Sequence, residues 1–189
     1  MRNLLATAAL LPTLATASPP PDSIGDLFAG TCMKHFYSQD DLRKLMGDIG
    51  TPEAPSEKAE FFLGGNPGKA WFVIAPSTAY VVALRDDGVC AVFAQRAEPN
   101  QVQADFSALV GKAPKPLTAA VRDSADLGPN DTHTLTAAYS WSQPEGTDEL
   151  LFVLTTSDGS EATAQAMISM SLVGKASNSS KAMPLRGTP

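Results

Sequence analysis

The spacing of apolar positions divides the chain into a helical first third and a remainder dominated by strands. Ile24, Leu27, Phe28, Thr31, Cys32 and His35 recur with a 3.6-residue period. They predict a short amphipathic helix with Cys32 on its apolar stripe. Ser38-Gln39-Asp40-Asp41 has the form of a capping box, with Asp41 in the usual glutamate place. It opens a second helix that buries Leu42, Leu45 and Met46 and ends at Gly47 or Gly50. Residues 51–55 are a linker to a third helix, capped by Ser56, carrying Ala59, Phe61 and Phe62 and stopped by Gly64.

The period then changes from helix to strand. KAWFVIA (69–75) and YVVALR (80–85) are apolar and β-prone, and Asp86-Asp87-Gly88 turns the chain into VCAVFAQR (89–96). Asp-Gly is a strong hairpin signal because glycine accepts positive φ. Pro99 and Asn100 open a fourth helix with Val102, Phe106, Leu109 and Val110 on its stripe and Gly111 as its stop. Four further strands are predicted over 117–127, 132–143, 149–157 and 164–173. In the second of these Leu135, Ala137, Tyr139 and Trp141 share a face, which reads as core rather than as an exposed stacking platform. The 164–173 segment alternates as a strand, and a helix is the competing reading. Helices, three strands, a helix and about four strands joined by short turns define an α+β fold. Its antiparallel sheet has about six to seven strands, helices mainly on one face, and the N-terminal helices packed on it.

The N-terminus changes the picture of where the chain works. Arg2, the apolar run Leu4–Leu14 and the small residues Ala15 and Ala17 predict a signal peptide over 1–17, cut between Ala17 and Ser18. A Pro-rich leader (18–23), a single α+β domain (24–173) and a disordered tail (174–189) follow. The expected product is periplasmic or secreted, with no transmembrane helix. Because Ser18 and not a cysteine follows the cut, no lipid anchor is expected. Lysine and arginine total 14 against 20 aspartate and glutamate, a net charge of −6. That balance repels phosphate backbones and anionic lipid surfaces, so nucleic acid is not an expected partner.

Export also alters the meaning of Cys32 and Cys90, the two cysteines of the chain. In an oxidising compartment a pair of cysteines favours a disulfide. Here it would fasten the first helix to the strand it covers. Two buried free thiols, or one reactive thiol at Cys90, are the alternatives. The histidines, His35 and His133, neighbour Cys90 nowhere in sequence, and their spacing with the cysteines fits no standard metal cluster. No metal and no cofactor is expected. GGNPGKAW (64–71) fails as a phosphate loop, because Leu63 and Ala70 stand where glycine and Ser/Thr are needed and a strand follows. Asn130 and Asn178 begin formal glycosylation sequons.

The runs FFLGGNPGKAWFV, YVVALRDDGVCAVFAQRA, YSW and LLFVLTTS, with AQAMIS after them, resemble a family of small exported bacterial proteins, some lipoprotein-like, that carries no assigned function. The resemblance spans about residues 26–173 and implies export, without implying a chemistry. Taken together, the residues predict an exported, non-catalytic binding or envelope-associated protein whose partner is another envelope or extracellular protein. The competing reading is an exported hydrolase or thiol-dependent enzyme using Cys90 or His133.

Overall fold

Two antiparallel meanders share one seven-stranded sheet in the computed structural model, which describes residues 22–126 and 134–175. The first meander is β1 (Gly68–Ile74), β2 (Ala79–Arg85) and β3 (Cys90–Ala94). The second is β4 (Thr118–Asp126), β5 (Thr134–Ser142), β6 (Asp148–Ser157) and β7 (Ala166–Gly174). The strand order is β1-β2-β3-β7-β6-β5-β4, and every neighbouring pair is antiparallel. The expected α+β architecture is the observed one. The strand expected over 164–173 is observed at Ala166–Gly174, and the Lys175 N–H after it donates to the Thr147 carbonyl at 2.7 Å.

Register decides which side chains share a face. Trp71, Val82, Val92, Ile168, Leu154 and Ala137 lie opposite one another across six strands and are all buried. They form the floor of the main core. Above it lie α1 (Ile24–Phe28), α2 (Gln39–Asp48) and α4 (Pro99–Val110). Helix α1 continues into a π-helical turn, Ala29–Met33, that carries Cys32. Phe28 and Phe152 meet edge to face at 6.5 Å, and Trp141 tilts against Phe152 at 4.7 Å. The Trp141 indole N–H donates to the Val110 carbonyl at the end of α4, at 2.6 Å, so this ring is core and not a platform.

One helix goes to the other face. Helix α3 (Ser56–Leu63) lies over β1 and β2 and builds a second, smaller core from Ala54, Ala59, Leu63, Ala70, Val81 and Ala83. Ala70, Ala83 and Ala91 form one cross-strand row, small enough for the helix to sit close. At Gly68 the approach is closest: an added Cβ would fall 2.9 Å from Leu63 Cδ2 and 2.4 Å from the Leu84 carbonyl. Gly64 ends α3 in the left-handed conformation at φ 59°, as its position after the apolar stripe predicts.

Two capping expectations are corrected. Ser38 makes no side-chain bond to the N-terminus of α2, so the capping box is not formed. Its ψ of 81° departs from the extended geometry that box requires. Ser56 is the first residue inside α3, with Pro55 preceding it at the cap. Ser23, expected in the leader, instead caps α1 through the Asp26 N–H at 3.0 Å.

Truncating the ring that joins the helices to the sheet tests this core. Phe152→Ala is expected to cost about 4 kcal/mol of unfolding free energy. Trp141→Phe is expected to cost about 1–2 kcal/mol by orphaning the Val110 carbonyl. Urea unfolding followed by circular dichroism measures both, and a Phe152→Ala loss under 1 kcal/mol would contradict the packing described.

Candidate binding cleft

The two cysteines decide between scaffold and chemistry. Cys32 and Cys90 form a disulfide with Cα atoms 5.5 Å apart, closing a sequence separation of 58. Both are buried, and no free cysteine remains. The reactive-thiol and free-thiol alternatives therefore fall away, and Cys90 serves to hold the π-helical turn onto β3. His35 follows that turn with its Nε2 buried and without a hydrogen-bond partner. His133, Ala17, Ser18, Asn130 and Asn178 lie outside the described residues, as do nearly all of the expected leader and tail. Among the described residues no group of three or more His, Cys, Asp or Glu is placed to hold a metal ion.

The chemistry-bearing geometry lies on the second face. Phe72, Val81, Phe93, Met167, Thr155 and Thr136 form one cross-strand row there. Helix α3 reaches only the first part of that row. Between the helix and the row runs a half-open cleft of about 500 Å³, walled by Phe61, Phe62, Phe72, Val81 and Phe93, with Lys58, Gln95 and Thr163 at its rim. Phe62 packs edge to face with Phe72 at 6.4 Å and with Phe93 at 5.1 Å. A smaller hollow of about 310 Å³ continues past Phe62 toward Ala91, Met167 and Arg85. Phe61, which walls both, is 59% exposed. A lone exposed phenylalanine means little, whereas one continuous with three other phenylalanines is a patch that marks contact with apolar matter.

The charges around this face are unequal in their commitments. Arg85 Nε donates to Asp87 Oδ1 at 3.0 Å, and that guanidinium holds the Asp87 carboxyl below the usual carboxylate range. Arg122, the extra residue of a β-bulge in β4, donates to Ser140 Oγ at 2.8 Å and pairs with the buried Glu149. Lys58 is different. Its ammonium sits 5.9 Å from the Phe72 ring centroid, and no described carboxylate lies within ion-pair distance of it.

A second hollow, of about 520 Å³, lies on the first face among Tyr80, Arg96, Glu98, Pro99 and Gln165. Two of its charged groups are turned to local backbone contacts. Glu98 caps α4 through the Gln101 N–H at 2.8 Å, and Arg96 donates to the Gln95 carbonyl at 3.2 Å. Tyr80, on its floor, has its hydroxyl pKa raised by burial and by the nearby Asp26 and Asp22. The aromatic cleft beside α3 is the better candidate.

Comparison with known proteins adds nothing to this geometry. No protein family, curated protein or solved structure matches the chain. The sequence places Phe61 and Phe62 on α3 without assigning them a face, so the cleft is not legible from the helix alone. The signal was present in Phe72 and Phe93, which alternate onto the face opposite Trp71 and Val92.

Replacing both cysteines by alanine should cost about 4 kcal/mol, by the chain entropy a closed loop of this length removes. Denaturant unfolding of the oxidised protein and of the variant measures it, and equal midpoints would refute the pinning role. Arg122→Met should cost about 2 kcal/mol, below the range for a fully buried pair because Arg122 is 42% exposed. Adding Glu149→Leu should recover most of that loss in the same measurement, since the stranded carboxylate is then gone.

Proposed function

We propose that this chain is an exported protein that acts by binding, through the aromatic cleft between α3 and the second face of the sheet. The observation that carries the reading is a half-open cleft of about 500 Å³ walled by four phenylalanines beside an exposed one-helix cover. Binding pockets have this size and this apolar, aromatic lining with few polar groups. Export is supported by the form of residues 1–17, by the resemblance to small exported proteins, and by a disulfide that fits an oxidising compartment. No described helix is long and apolar enough to cross a membrane. The thiol-enzyme alternative loses its nucleophile to the disulfide, because a bridged sulfur has no thiolate to offer.

A neutral apolar fluorophore, N-phenyl-naphthylamine, reports on the cleft directly. Its emission should rise on adding the folded protein. Phe61→Ser removes an exposed wall, and Ala164→Trp fills the mouth; each should cut the enhancement at least fivefold with the unfolding midpoint little changed. Enhancement that is absent in the wild type, or untouched by both substitutions, refutes the cleft as the binding surface.

A further inference from the structure

Building on that reading of the cleft, we infer that its ligand is a single-chain amphiphilic carboxylate, with the apolar tail along Phe72, Val81 and Phe93 and the carboxylate on Lys58. Among the described cations near the second face, Arg85 is paired with Asp87 and Arg122 with Glu149. Lys58 keeps its charge uncommitted among the described residues, and it does so at the rim of the most aromatic hollow. The chain as a whole carries a net charge of −6, so an anion finds general repulsion, which the Lys58 ammonium offsets locally at this rim. The Phe72 ring face draws the ammonium toward the cleft wall instead of leaving it free in water. Gln95 and Thr163, at the same rim, add an amide and a hydroxyl donor for a second carboxylate oxygen.

The tail follows from the sheet. Phe72, Val81, Phe93 and Met167 stand on four neighbouring strands, a run of about 14 Å at the usual strand spacing. Phe61 and Phe62 of α3 and Thr163 and Ala164 of the β6–β7 connection line the same hollow. That is a trough for one tail. Along β2, β3 and β7 it offers no unpaired backbone edge for a peptide strand, because each is paired on both sides. Glu57, beside Lys58 at the rim, disfavours a head group with more than one negative charge.

Displacement of N-phenyl-naphthylamine by laurate, lauryl maltoside and lauryl trimethylammonium tests the inference, in the wild type and in Lys58→Met. Laurate should displace the probe at a concentration roughly fivefold below that of the maltoside, the size expected for one part-exposed ion pair. Lys58→Met should bring the two together while leaving the maltoside value unchanged. The cationic amphiphile should be the weakest competitor. Equal displacement by laurate and maltoside in the wild type, or a laurate value indifferent to Lys58→Met, overturns the carboxylate and leaves the apolar cleft standing. Preference for the cation overturns it too and assigns the rim to Glu57. Failure of every amphiphile to displace a probe that does bind sinks the single-tail ligand in favour of an apolar protein segment. Failure of the probe itself to bind removes the cleft and the ligand together.

Discussion

The pairing of β3 with β7 is the join on which everything else hangs. Five residue pairs, Cys90 with Met170 through Ala94 with Ala166, turn two meanders into one sheet. Without it the row from Trp71 to Ala137 would break into two short floors, neither wide enough to carry three helices. The disulfide is fixed at this seam: Cys90 is the first residue of β3, and its partner Cys32 sits in the π-helical turn above. Helix α4 straddles the same region, since it carries the chain from β3 to the far edge strand β4 and buries Phe106 edge to face with Tyr139. A covalent link and a crossover helix thus guard the place where the chain's most distant halves meet.

The two halves make different demands of solvent. In β1, β2 and β3 both faces are apolar: Trp71, Val82 and Val92 point one way, Phe72, Val81 and Phe93 the other. In β5 and β6 the second face mixes Ala138, Leu151 and Val153 with Thr136, Ser140, Glu149 and Thr155, and Arg122 meets Ser140 and Glu149 there. A cover is therefore needed more over β1, β2 and β3 than over β5 and β6. A single eight-residue helix supplies it, and the cleft is the margin where the cover ends before the aromatic row does. The edge of β1 is shielded separately. The Ala54 N–H donates to Ala70 at 2.8 Å, and the Phe72 N–H donates to Pro52 at 2.9 Å.

This asymmetry was only half legible in the residues. Alternation along β5, β6 and β7 is strong enough to identify strands, and the Asp87-Gly88 turn identifies a hairpin, with Gly88 at φ 96°. Export chemistry pointed to the Cys32–Cys90 pair, since the helix stripe and the strand each offered one cysteine to the same core. What could not be read was the side of the sheet α3 chooses. A helical stripe such as Ala59 and Leu63 announces burial without naming a face. The row of Ala70, Ala83 and Ala91 that receives it exists only once three strands are in register. The failed caps have a similar origin: Ser38 and Ser56 suit a helix start by type, but local backbone geometry decides whether the hydroxyl reaches an N–H.

The same alanines that admit α3 also limit how firmly it is held. Its core contains six buried residues, four of them alanine, whereas the first-face core gathers Phe28, Phe106, Phe152, Met46, Leu154 and Ile168 at full burial. Apolar area removed from water sets the cost of opening a segment, so the second face opens more readily than the first. Phe62 is the exception in that poor core, because it touches Phe72 and Phe93 at once. A ring so placed helps to anchor α3, beside the buried Leu63, and lines both hollows. Matter entering the cleft must therefore pack against a group that holds the helix down, and occupancy and helix position become one equilibrium. The disulfide and α4 lie on the opposite face, so this looseness is confined to the layer where the cleft is and does not reach the seam that joins the sheet.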